Sequence, residues 1–323
     1  MRKQITKFCL VLFTTIIINA QQSDFPKLTG PYLGQKPPGM KPEIFAPGII
    51  SSEHQEHSSL SFSPDRKEMW WSRWHLPRDF DKYPQEIMFI KYEKEMWSKP
   101  MAAPFSGIYR DGGPAFSPDG NRIYFYSRRP VHRDSVGMND NDIWYVERIK
   151  NGWSQPVNLC QPVNTPFVEA TPCLAANGNL YFTSDRNQYV DPTGNNDLFV
   201  SKFIDGKYTE PESVSDSINT SSARESFPYI APDESYIIFS RDNRKFDSEG
   251  NVIEGDRKLM ISFRWRDGAW RSPVEMGPDY YKVRFPSVSP DGKYLFFTKY
   301  SEKTDEDFYW VDAKVIEELR PKE

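Results

Sequence analysis

Cysteine is almost missing from this chain: there are three in 323 residues, at positions 9, 160 and 173. That excludes a scaffold held by a disulfide framework. Histidine is scarce too, with four residues in all. His54 and His57 form a His-x-x-His pair, but neither a glutamate base nor a helical pattern accompanies it, so the helical zinc motif is excluded and no metal is expected. Beyond residue 20 no apolar run approaches the roughly eighteen residues that a membrane-spanning helix needs. Neither sign of charge dominates: 41 Lys and Arg stand against 45 Asp and Glu, a formal net charge of −4. There is therefore no global footprint for nucleic acid. A Gly-x-Ser-x-Gly elbow, a P-loop and a Gly-x-Gly-x-x-Gly turn are all absent, which excludes an attached hydrolase domain and points to no cofactor.

Turn formers and aromatics are what the chain has in quantity. It carries 27 Pro and 18 Gly, and 15% of its residues are aromatic, nine of them Trp. That aromatic content argues against disorder, and its size allows a real core. Frequent turns with frequent aromatics point to an all-β chain of short strands.

Residues 1–20 read as a secretory signal peptide. Arg2, Lys3 and Lys7 precede the apolar run from Phe8 to Ile18, and Ala20 offers a small residue for cleavage. The mature protein is expected in the periplasm or outside the cell, as a monomer, with residues 21–40 forming an extended N-terminal segment. Cys160 and Cys173 fall at an outer strand's end and on an inner strand of the repeat described next, so no bridge is expected between them.

Five stretches resemble one another: 60–74, 114–129, 172–187, 228–242 and 286–300. Their turn residues Asp65, Asp119, Asn177, Asp233 and Asp291 lie 54, 58, 56 and 58 apart. A fixed period of this kind decides the architecture before any local pattern does. Each unit is a short apolar segment, a Pro-Asp-Gly type of turn and an alternating aromatic segment, which is the pattern of a β-hairpin. Third strands follow at Glu86, Asp142, Asp197, Lys258 and Asp307. Fourth strands open with Trp97, Trp153, Tyr208 and Trp270, each three residues before a proline, and proline belongs at a sheet edge. Four antiparallel strands repeated radially make a propeller blade. The fifth unit lacks its fourth strand, but Lys41-Pro42 repeats Lys99-Pro100 one period earlier, 58 residues away. Residues 41–50 are therefore expected to close the ring. The expected fold is a single all-β propeller over 41–323, with five four-stranded blades and a short helix at 313–319 capped by Asp312.

The residues Ser117-Pro118-Asp119-Gly120, Tyr124-Phe125-Tyr126-Ser127-Arg128, Asp142-Ile143-Trp144 and Gly152-Trp153-Ser154-Gln155-Pro156 resemble the PD40 or WD40-like (TolB-like) β-propeller repeat of exported bacterial proteins. The resemblance covers about residues 41–312. It implies a scaffold or binding module as readily as an enzyme.

Recurrent residues have structural readings. Arg128 and Arg186 end second strands and Asp142 and Asp197 begin third strands, which suggests ion pairs within blades, while Trp97, Trp153 and Trp270 are expected between blades. The non-repeating chemistry gathers on one face, because the loop entering the first strand and the loop joining strands two and three emerge on the same side. Counting back from the repeat's proline aligns His57, Asp111, Glu169 and Glu225 as a polar ring at the channel mouth, able to hold a cation or a peptide amine. Arg110 lies beside it. The second loops add Arg73, Trp74, His75, Arg128 and His132, a set suited to an anionic group because arginine forks match oxyanions. The leading expectation is a non-catalytic module binding a protein or oligosaccharide on this face. The alternative is a carbohydrate-active enzyme, a polysaccharide lyase or glycosidase on the same face, which would need two carboxyl groups about 5–9.5 Å apart.

Overall fold

The computed structural model describes residues 25–75, 84–131, 141–189, 196–246, 249, 252–301 and 305–322. The leader and its cleavage position, and His132 among the candidate residues, lie outside them.

Five antiparallel sheets follow one another around a central axis. Blade two shows the plan. Asp111–Phe116 is innermost, followed outward by Arg122–Ser127 and Asp142–Ile149, and the edge is made of two short pieces, Gly152–Trp153 and Val157–Asn158. Pro156 falls between those two pieces, where a residue without an N–H interrupts pairing. Blades one, three and four start at Gln55, Glu169 and Arg224. Blade five runs from Val283–Val288 through Tyr294–Ser301 to Asp305–Asp312, and its outer strand is Glu43–Ile44 from the start of the chain. Glu43 pairs with Trp310 and Ile44 with Tyr309, so the ring is closed by the strand that the sequence period singled out.

Successive residues of each second strand face opposite neighbours, which is why large apolar residues stand side by side in these strands. Ile123 and Phe125 pack with Trp70 and Ile87 of blade one, while Tyr124 packs with Leu180 and Phe182 of blade three. Each of the five blade junctions has its own apolar core of this kind. Trp153 meets Trp70 of blade one edge-on at 5.7 Å, and Trp97 donates its indole N–H to the Gly30 carbonyl at 2.8 Å. Tyr32 and Leu33, just beyond Gly30, are buried in the core between blades five and one.

The helix is Lys314–Glu318. Asp312 does contribute to its start, since its carboxylate accepts the Lys314 N–H at 2.9 Å, although the residue at the cap position is Ala313. Cys160 and Cys173 are both free thiols. Among the described residues no helix is long and apolar enough to cross a membrane.

Candidate functional site

In blades two to five the innermost strand breaks register just where the sequence reads x-Pro. Proline cannot donate to the ladder, so the chain bulges there. The residue before each proline is left-handed: Gly113 at φ 60°, Thr171 at 50°, Phe227 at 60° and Phe285 at 53°. Three of these carry side chains, and such backbone is strained unless packing imposes it. The bulges bring the Phe227 and Phe285 rings together at 4.1 Å and seat His57 on Phe285 at 4.8 Å. Opposite them, Tyr126 donates to Gln85 at 3.0 Å, and the Gln85 amide donates to the His57 carbonyl at 2.9 Å. Gly112 makes this arrangement possible, since a Cβ there would stand 2.4 Å from the Tyr126 ring.

Asp111 and Glu169 begin their innermost strands and Glu225 is the second residue of its own, as aligned from sequence, but all three side chains are fully buried. Each is paired with an arginine at or just beyond the end of its own second strand: Asp111 with Arg129 at 2.7 Å, Glu169 with Arg186 at 3.1 Å and Glu225 with Arg241 at 2.7 Å. The same arginines donate to a carbonyl of the preceding loop, those of Phe105, Val163 and Ile218. Burial pushes the Glu169 carboxyl up to about 7 and raises Asp111 and Glu225 as well, against the pull of their arginines. Desolvation thus outweighs attraction, as buried pairs commonly show. These carboxylates fix the entry loops to their blades.

Blade one departs from the pattern. Its entry carboxylate is Glu56, one residue before the aligned His57. Glu56 accepts from Ser52 Oγ at 2.7 Å, as Glu169 accepts from Thr165 Oγ1 at 2.6 Å and Glu225 from Thr220 Oγ1 at 3.0 Å. Glu56 is fully buried, its Oε2 has no hydrogen-bond partner among the described residues, and burial pushes its carboxyl up to about 8. His57 instead turns to Glu306 of blade five, with Nδ1 2.7 Å from Oε2. Glu306 also accepts from Gln55 at 2.9 Å and pairs with Arg284 at 3.0 Å. Burial works against ionising Glu306, yet His57 and Arg284 hold its carboxyl at about 2. Burial in turn drives the His57 pKa down, with Arg284 and Arg110 adding to it.

Of the second-loop residues, Arg73 and His75 share one carboxylate, Glu86, at 3.0 and 2.9 Å. His54 lies edge-on to His75 at 4.9 Å. Arg128 Nε donates to the Asn141 side chain at 3.3 Å. The ion pair expected between Arg186 and Asp197 gives way to Arg186–Glu169, while Asp197 accepts from Asn187 at 2.9 Å. Arg110 lies over the Trp74 ring, 5.1 Å from its centroid, and Trp74 is nearly buried.

The structure therefore gathers His57, Trp74 and Tyr126 around Arg110 and withdraws Asp111, Glu169 and Glu225 into the blades. Among the described residues no group of three His, Cys, Asp or Glu side chains is placed to hold a metal ion. Sequence reading missed Glu56, Gln85 and Glu306. A Ser or Thr four or five residues before each entry carboxylate was the available signal for Glu56; Glu306 is reached only across the ring closure.

No family model and no curated protein matches the chain. Among solved structures it is similar to TolB from Agrobacterium tumefaciens, with 16% identity, a TM-score of 0.46, and coverage of 76% of this chain and 70% of that one. It is also similar to the periplasmic gluconolactonase PpgL from Pseudomonas aeruginosa, with 10% identity, a TM-score of 0.41, and coverage of 78% and 70%. A prolyl endopeptidase matches with 13% identity and a TM-score of 0.41, over 80% of this chain but 33% of the peptidase.

Proposed function

We propose that this chain is an exported propeller, periplasmic or secreted, that binds a protein or glycan ligand on its loop-rich face without performing chemistry on it. The observation that carries this reading is the state of the entry carboxylates: Asp111, Glu169 and Glu225 are fully buried and each is paired with an arginine. A general acid or base must come within hydrogen-bond reach of the proton it moves. Glu169 has the raised pKa of an acid catalyst, but its oxygens are occupied by Thr165, Ser184 and Arg186. Arg110, beside this ring, offers charge and hydrogen-bond donors instead. The test is a glycan and peptide binding screen on the purified protein, followed by reducing-end and unsaturated-product assays on every ligand found. Binding without product is the expected outcome. Product formed by the wild type and lost on mutating a residue of the mouth would establish the carbohydrate-active alternative.

A further inference from the structure

The arginines at this end of the ring differ in one respect. Arg73, Arg129, Arg186, Arg241 and Arg284 each meet a carboxylate within 3.1 Å. Arg110 meets none among the described residues, where its guanidinium has no hydrogen bond and no ion pair and its Nε is buried without a partner. It is nevertheless fixed in place, because it is half-buried and lies against Trp74. A guanidinium over an aromatic face keeps its planar fork oriented while its remaining donors stay available. Arg224 also lacks an acidic partner and an aromatic ring beneath it among the described residues, but it is exposed. The charge of Arg110 reaches into the mouth: it adds to the effect of burial in lowering His57, and it opposes the rise that burial causes in Tyr126.

We propose that Arg110, held over the Trp74 ring, is the anchor for the carboxylate of an acidic saccharide docking on this face near His57. The proposal rests on the reading of this face as a binding surface. An anion supplies the acceptors that the Arg110 guanidinium lacks among the described residues, and a forked guanidinium receives a carboxylate through two parallel hydrogen bonds. A saccharide fits better than a peptide because the main chain at the mouth is already committed. The entry N–H groups of Asp111, Glu169, Glu225 and Lys282 donate to the preceding blade, to the carbonyls of Gln85, Asn141, Asn196 and Arg257 at 2.7–3.0 Å. Strand-like peptide recognition needs such groups free, and the touching Phe227 and Phe285 rings obstruct threading of an extended chain. Recognition must then come from side chains.

The test is isothermal titration of the full chain with a glucuronic-acid-containing tetrasaccharide, its methyl-esterified form, and a short peptide with a free C-terminal carboxylate. The acid form should bind and the ester should bind at least tenfold more weakly. Arg110→Gln should weaken the acid form by about ten- to a hundredfold and abolish the difference between acid and ester. Arg224→Gln should change neither, and the melting temperatures of all three proteins should agree within a few degrees. The proposal is overturned if the ester binds as well as the acid, if Arg110→Gln binds like the wild type, or if no saccharide binds. Arg110-dependent binding of the peptide alone would replace the ligand class. Release of unsaturated or reducing sugar during titration would sink the non-catalytic reading while leaving the anchor to be judged by the Arg110 affinities.

Discussion

Arg241 and Arg110 are both arginines of the loop-rich face, and they should behave in opposite ways. Arg241→Ala leaves Glu225 fully buried without its cation and removes the donor to the Ile218 carbonyl. Breaking a buried pair on one side costs about 3–5 kcal/mol, so denaturant melts should show a large loss of stability. Arg110→Gln gives up only a stacking contact worth about 0.5–1 kcal/mol and should melt close to wild type. Glu56 supplies a pH signature. An unfolded glutamate ionises near 4.5 and the folded one near 8. Between those values the folded chain keeps a proton that the unfolded chain has released, so this group's contribution is complete below pH 4.5 and is lost as pH rises towards 8. The total is about 4–5 kcal/mol. Melting curves across that range should show stability falling with pH, and Glu56→Gln should flatten the slope. An unchanged slope would mean that Glu56 ionises normally in the fold.

Ring closure depends on a very short strand. Glu43–Ile44 contributes two paired residues, extended by the Phe45 N–H to the Phe308 carbonyl at 2.8 Å and by Ser51 bonding the same residue. Its hold therefore comes mainly from side chains. Phe45 is fully buried, with the Phe296 and Trp310 rings each 5.0 Å away, and Ile50 is fully buried beside them. Phe45→Ala should cost about 3–5 kcal/mol by leaving a cavity at the closing seam. The neighbouring Ile44, 39% exposed, should tolerate alanine within about 0.5 kcal/mol. Equal effects in thermal melts would show that backbone pairing holds the strand. The strand itself was legible because an outer edge repeats its Lys-Pro spacing. The division of the outer strands of blades one to three into two pieces around Pro100, Pro156 and Pro211 was not, since the break depends on which N–H groups face the third strand.

At the scale of the whole ring, five junction cores couple every blade to two neighbours. A thiol probe should register this. Cys160 is exposed, whereas Cys173 lies on an innermost strand, its sulfur receives the Ile230 N–H at 3.4 Å, and burial pushes its thiol up to about 11. In native protein Cys160 should react and Cys173 should not; both should react without reductant once the ring unfolds. Native reactivity of Cys173 would show that blade three opens by itself. Ligand affinity belongs to this scale as well. Charges at an open mouth are screened over about 8 Å at physiological ionic strength, so binding anchored by Arg110 should weaken as salt is raised.

The sequence by itself determined the number of blades, their strand order and the strand that closes them. These follow from a period near 56 and from a pattern of two along each strand, both of which are local properties of the chain. It also placed the entry loops and the second loops on one face. Tertiary structure decided what the charged residues of that face do. Asp111, Glu169 and Glu225 aligned as an open ring, yet each meets an arginine 16–18 positions later that happens to lie beside it across the hairpin. His57 finds Glu306, 249 residues away, because the ring joins blade five to blade one. A side chain's partner is set by which atoms are adjacent after folding, and adjacency across a hairpin or a closure has no sequence signature. Arg110 reads like its neighbours in the sequence; only the folded ring leaves it over the Trp74 ring, with no carboxylate partner among the described residues.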